Sequence, residues 1–152
     1  MKLEKDLREF IELLNSHKVE FLVVGGHAVG FHGYPRYTGD IDFLVRPTAE
    51  NASRVATAIE EFGFVDAPTV KSVLLQEGKI VQIGRPPNRI DILTSASGVD
   101  FEQAWERAVS GNLDGIPVKV IDLGTLIANK RASGRGKDLA DVEELEKVAK
   151  RP

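Results

Sequence analysis

The chain has 152 residues, 42% of them hydrophobic and 28% charged, which is the composition of a folded globular protein and excludes a disordered one. Twenty Lys+Arg against 23 Asp+Glu leave a formal charge of -3, which argues against a broadly basic protein that coats nucleic acid, though not against a local basic patch. There is no Cys, so disulfides, thiolate metal sites, iron–sulfur clusters and a cysteine nucleophile are excluded.

In chain order, Leu3, Leu7, Phe10, Ile11 and Leu14 draw one helical stripe over residues 2–16. The charged start of that helix reads as no signal peptide, and no run approaches the ~20 apolar residues of a membrane helix, so a soluble cytoplasmic protein is expected. Val19–Val24 reads as a buried strand, broken by Gly25-Gly26 and followed by a short helix over His27–His32 and a loop over Gly33–Gly39. Asp40–Val45 is a second strand, and Thr48 opens a helix over 49–62. Phe64-Val65, Ser72–Gln76, Lys79–Ile83 and Arg89–Leu93 each have strand character, with a hairpin turn at Glu77-Gly78. Residues 100–109 form an amphipathic helix capped by Asp100, and a hairpin through Asp114-Gly115 follows within 112–121. Asp122 caps a helix to about Ala132. A last helix runs from about Lys137 to Lys150 with Leu139, Val142 and Leu145 on its apolar side. Strands and helices mix without regular alternation, and no repeat is present. An α+β fold with a mixed sheet is therefore expected, as one domain over 1–152 whose C-terminal part, about 122–150, is helical.

Chemistry concentrates at Asp40-Ile41-Asp42. Residues i and i+2 of a strand share a face, so the two carboxylates stand together, about 7 Å apart at Cα, while Ile41, Phe43 and Val45 point to the core. Such a pair is relieved by a proton or by a cation, and hard divalent ions such as Mg²⁺ suit carboxylate oxygen. The bland alternative is a strand that ends at a solvated surface. Gly25-Gly26 between a strand and a helix reads either as a phosphate-binding turn with free backbone N–H groups or as a plain tight turn. Asp91 in Arg89-Ile90-Asp91-Ile92-Leu93 is a carboxylate in an apolar strand, and its partner is either a metal or a cation such as Arg89 or Arg36.

Taken together, these residues resemble the DNA polymerase β-type nucleotidyltransferase superfamily. The shared pattern is an apolar residue, Gly25-Gly26, thirteen intervening residues, Asp40-Ile41-Asp42-Phe43, and a distal carboxylate between apolar residues, Asp91. Arg36-Tyr37-Thr38 and the stretch from Leu126 through Lys130-Arg131 to Arg135-Gly136-Lys137-Asp138 are similar to small prokaryotic members, among them minimal nucleotidyltransferases and the toxins of AbiEii-type abortive-infection systems.

The resemblance implies a polymerase β-like fold and Mg²⁺-dependent (or Mn²⁺-dependent) transfer of a nucleoside monophosphate from an NTP to an acceptor hydroxyl. It assigns Asp40, Asp42 and Asp91 as catalytic metal ligands and Gly25, Gly26, Arg36, Thr38 and Lys130 as nucleotide-binding residues. Asp91 lies on the acceptor side. The acceptor is a small molecule, a protein or tRNA, and a partner protein, an antitoxin or helical subunit, is possible. The rival reading is a catalytically silent nucleotide-binding or toxin–antitoxin partner; a third is a purely structural domain. Lys130, Arg131, Arg135 and Lys137 form a cationic cluster that either meets the triphosphate or is simply solvated. Asp138 and Asp141 fit the first turn of the last helix, with Asp138 a candidate to fix Lys130. His27 is placed beside the nucleotide site and His32 is read as structural. Trp105 and Phe101 read as a core stripe.

Overall fold

The computed structural model describes residues 3–63 and 67–151. In order, the elements are α1 (Lys5–Ser16), β1 (Phe21–Val24), α2 (Gly25–Phe31), β2 (Asp40–Val45), α3 (Ala49–Phe62), α4 (Ala67–Leu74), β3 (Ile80–Ile83), β4 (Arg89–Leu93), α5 (Phe101–Arg107), β5 (Val109–Leu113), β6 (Ile116–Val120), α6 (Leu123–Ser133) and α7 (Gly136–Ala149). The strands form one six-stranded sheet in the order β3-β4-β2-β1-β6-β5. It is mixed, as expected: β1 runs parallel to β6 and antiparallel to β2, and β2 runs parallel to β4.

Strand alternation divides the sheet into an apolar face and a functional face. Ile41, Phe43, Ile90 and Ile92 are buried on the first. There the Phe43 ring meets Phe10 of α1 at 6.0 Å and Phe21 of β1 edge-on at 5.4 Å, and Phe10 packs on Phe62 of α3 at 5.2 Å. Each fully buried aromatic or aliphatic side chain contributes about 1.5–3 kcal/mol. This core holds β2 and β4 still while their other face is left open.

Local signals set the helix ends. Thr48 accepts a hydrogen bond from Asn51 N, Asp100 from Gln103 N, and Asp122 from Thr125 N. Asn51 is also a clasp that sequence patterning did not single out. Its side chain is buried, accepts from Glu20 N at 2.8 Å, and donates to Glu20 O and Arg46 O, both at 3.0 Å. It thereby ties α3 to the start of β1 and the end of β2.

Four expectations need correction. Ser72–Gln76 is not a strand, so Glu77-Gly78 joins α4 to β3 and closes no hairpin: residues 67–74 are helical, and Pro68, in the first turn of α4, is the start signal that a short window of Val and Leu obscured. Gly25 and Gly26 lie within α2 instead of preceding it. Helix α5 ends at Arg107, so Val109 opens β5 rather than closing the helix. Leu139 is 49% exposed; the inward stripe of α7 is Asp138, Asp141, Val142 and Leu145. Phe64-Val65 lies outside the described residues. Among the described residues no helix is long and apolar enough to cross a membrane.

Candidate active site

Parallel pairing of β2 with β4 sets Asp42 opposite Asp91 and Asp40 opposite Arg89. One carboxylate oxygen from each of Asp40, Asp42 and Asp91 lies within 4.8 Å of the others. The two strands thus bring together what the sequence separates by nearly fifty residues. Arg89 spans the group: it donates to Asp40 Oδ2 at 2.7 Å and to Asp91 Oδ1 and Oδ2 at 3.0 and 3.1 Å. The ion-pair alternative for Asp91 is therefore realised with Arg89, whereas Arg36 pairs elsewhere.

Gly25 is required where it stands. It has φ +66°, and a Cβ there would lie 2.0 Å from Asp42 Oδ2. The backbone at the end of β1 is pressed against the carboxylate, so only glycine fits. Gly26 is crowded in the same way by Thr38, whose hydroxyl lies 3.0 Å from both Asp40 Oδ1 and Asp40 O.

Electrostatics separates the three acids. Burial, reinforced by the neighbouring Asp40 and Asp91 charges and opposed by Lys130, pushes the Asp42 carboxyl up to about 7. Burial also works to raise Asp40, but the Thr38 hydroxyl and the Arg89 guanidinium outweigh it and hold that acid below its ordinary value. At Asp91 burial prevails over Arg89 and the acid is raised. A compact set of hard oxygen donors, one of them raised by burial and by its neighbours' negative charge, is chemically suited to a divalent cation such as Mg²⁺.

A cationic wall faces this group. Lys130 is buried on α6, and its Nζ lies 3.3 Å from Asp138 Oδ1 and 3.2 Å from Asp141 Oδ2. Arg36 grips Asp141 with two bonds of 2.9 and 2.7 Å, and Arg135 Nε donates to Asp138 Oδ2 at 2.8 Å. Asp138 and Asp141 therefore do more than begin a helix: they hold the cations in place. Gly98 packs closely on Ala132, which seats α6 against the loop after β4.

All eight residues singled out by the resemblance, Gly25, Gly26, Arg36, Thr38, Asp40, Asp42, Asp91 and Lys130, line one cleft of about 590 Å³. Arg135 and Lys137 line it too, but Arg131 turns away and pairs with Glu146. His27 does not line it; on α2 its side chain is buried, and burial lowers its pKa. His32 is structural, its Nε2 2.7 Å from Ile121 O. Trp105 stacks on Phe101 with Arg46 over both rings, away from the cleft. Sequence reasoning missed Gln82, Ser95, Ser97 and Asn129 as lining residues. Only Gln82 had a usable signal, the strand character of Lys79–Ile83, and the turn over residues 84–88 that joins β3 to β4 sets it opposite Asp91.

Residues 3–151 match the family described as "Nucleotidyl transferase of unknown function (DUF2204)". The chain belongs to that family. As a nucleotidyltransferase it shares its fold with solved structures of low sequence identity. The lincosamide antibiotic adenylyltransferase LnuA, solved with lincomycin, superposes with a TM-score of 0.57 at 16% identity over 96% of this chain and 98% of that one. A Thermotoga maritima protein described as a nucleotidyltransferase gives 0.56 at 18% identity over 95% and 88%. ANT(2")-Ia, solved with adenylyl-2"-tobramycin, gives 0.55 at 17% identity over 94% and 90%. No curated protein sequence matches the chain. At these identities the likeness is one of fold; the assignment as a nucleotidyltransferase enzyme rests on the family together with it.

Proposed function

We propose that this nucleotidyltransferase moves a nucleoside monophosphate from an NTP to an acceptor hydroxyl with Mg²⁺ (or Mn²⁺), and that Asp40, Asp42 and Asp91 are its metal ligands. The observation that carries this reading is the convergence of those three carboxylates, within 4.8 Å, in a cleft that Lys130 and Arg36 also line. Divalent metal held there supplies charge neutralisation for the triphosphate and eases deprotonation of the acceptor hydroxyl.

The chain's own residues do the rest. Gly25 lets the backbone close on Asp42 and, with Gly26, offers N–H groups to the phosphates. Lys130, Arg36 and Thr38 bind the triphosphate. Arg36 and Lys130 are anchored by Asp141 and Asp138, so their charges are fixed before substrate arrives. Asp91, on β4 next to the edge strand β3, accepts the proton of the attacking hydroxyl at its carboxylate oxygen. Catalysis is then positioning and charge neutralisation, and no nucleophilic side chain is needed. The cytoplasm, and a toxin–antitoxin or abortive-infection system with a partner protein, form the setting we assign from the sequence resemblance.

The test is transfer of label from α-labelled ATP, in Mg²⁺, to components of a cell extract. Wild type labels an acceptor, and Asp42→Asn and Asp91→Asn each lose at least a hundredfold. Equal ATP binding by wild type and variants, with no label from either, would replace this reading by a silent nucleotide-binding partner.

A further inference from the structure

The cleft is chemically two-sided along its carboxylate row. At one end Asp42 abuts Gly25 and feels Lys130, and Arg135 acts on both Asp42 and Asp40. At the other end Asp91 sits on β4, beyond which lies only β3, the last strand of the sheet. Register sets Gln82 directly across from Asp91 and Ile80 across from Leu93. Paired residues share a face, so Ile80, Gln82 and Leu93 stand on the side of Asp91, and all three line the cleft. The wall continues through Ser95 and Ser97. None of these five side chains is charged. Ile80 is 53% exposed, and with Leu93 it presents apolar surface between an amide and two hydroxyls. Arg89, the cation next to Asp91, is already bound to Asp91 and Asp40.

Resting on the transfer reading above, we infer that the acceptor is a small, uncharged, polyhydroxylated molecule with one apolar face, of the kind a sugar or glycoside presents. The apolar face lies on Ile80 and Leu93, its hydroxyls reach Gln82 and the serines, and one hydroxyl comes to Asp91. A nucleic acid needs Lys or Arg to neutralise its phosphates, and this wall offers none. A polycation needs carboxylates beyond those committed to the reaction, and the wall has none of those either. Size agrees: about 590 Å³ falls in the range of about 300–1,000 Å³ that holds one drug-sized ligand, and nucleotide and acceptor must share it. In the transfer, the acceptor oxygen forms a bond to the α-phosphorus as the α–β bridging bond breaks. Pyrophosphate leaves with that electron pair, and the hydroxyl proton passes to Asp91 and on to water.

The experiment incubates the full chain with Mg²⁺, α-labelled ATP and extract of its own cells, and separates the labelled products by size and charge after phosphodiesterase release of AMP from a parallel sample. Label in a species below about 1 kDa, the released acceptor being neutral, is the expected result; at saturating ATP, as expected for an uncharged acceptor, its rate changes less than twofold between 50 and 200 mM salt, where a protein making about 6–10 contacts to nucleic-acid phosphates loses about 10³–10⁵ in affinity. Ile80→Lys, a change at an exposed position, is expected to cut the labelling rate at least tenfold while the rise in melting temperature with ATP and Mg²⁺ stays as in wild type. Label in RNA, in protein or in a charged small molecule overturns the inference, as does undiminished labelling by Ile80→Lys. No label in any fraction, with the ATP-dependent melting rise intact, overturns the transfer reading itself, so the two failures are told apart.

Discussion

Replacing Gly25 by Ala separates the fold from the site. Two terms follow from the structure. The residue has φ +66°, where a side chain costs roughly 1–2 kcal/mol. In addition the new Cβ would fall 2.0 Å from Asp42 Oδ2, far inside the 3.0 Å that real Cβ contacts respect. Core packing fixes the backbones of β1 and β2, so the Asp42 carboxylate must swing away. Gly115→Ala isolates the first term: Gly115, in the turn between β5 and β6, has φ +80° and nothing within 4 Å of its would-be Cβ. At about 2–4 °C per kcal/mol for a chain of this size, Gly115→Ala should melt about 2–8 °C lower and retain full transfer and full stabilisation by Mn²⁺ with ATP. Gly25→Ala should melt at least that much lower, lose the Mn²⁺–ATP stabilisation, and transfer label about 100-fold more slowly or worse, the usual consequence of a displaced reacting group. Thermal melts with and without Mn²⁺ and ATP, beside the labelling assay, measure both. Wild-type transfer by Gly25→Ala would refute the argument that this close approach shapes the site.

Other outcomes follow from the charges. Lys130→Met leaves Asp138 and Asp141 buried with only Arg135 and Arg36 as partners, and unfolding in urea should show a loss of about 3 kcal/mol, the low end for a broken buried pair; a loss within experimental error would contradict the network. Asp42 prefers its proton in the folded state, so its contribution to stability is full below the unfolded value near 3.8 and is lost as pH rises through about 7. The metal-free protein should therefore melt lower at pH 8 than at pH 6, while stabilisation by Mg²⁺, which requires the carboxylate, grows over the same interval; Asp42→Asn should flatten both trends. Arg89→Gln removes the guanidinium that competes with metal for Asp40 and Asp91, so it should lower the Mn²⁺ concentration needed for half-maximal stabilisation. A higher requirement would make Arg89 a support of the metal site instead of its competitor.

The legible part of the site is the part written in strand alternation. Asp42 and Asp91 each stand between apolar residues, Asp40 opens the strand two residues before Asp42, and period two alone decides which way they face. Their mutual approach depends on the register of β2 with β4, which no local pattern encodes; the resemblance supplied it. The cationic wall was half legible. Lys130 stood out by charge, but Asp138 and Asp141 lie on the inward stripe of α7 together with Val142 and Leu145, and a search for apolar spacing chose Leu139, which is exposed, over the buried acids. Helix α4 was lost because a five-residue window rich in Val and Leu satisfies strand and helix alike, and Pro68 lay just outside that window. Asn51 left no trace in the sequence because its role is to satisfy backbone groups of Glu20 and Arg46, which become neighbours only after the sheet forms.

The central claim is that β2 and β4 together hold divalent metal beside a triphosphate. A crystal soaked with Mn²⁺ and a non-hydrolysable ATP analogue tests it most directly. Anomalous density should appear within coordination distance of Asp40, Asp42 and Asp91, with the triphosphate toward Lys130. Manganese bound elsewhere, or a nucleotide seated away from Asp42 with these three carboxylates still bridged by Arg89, would contradict the account.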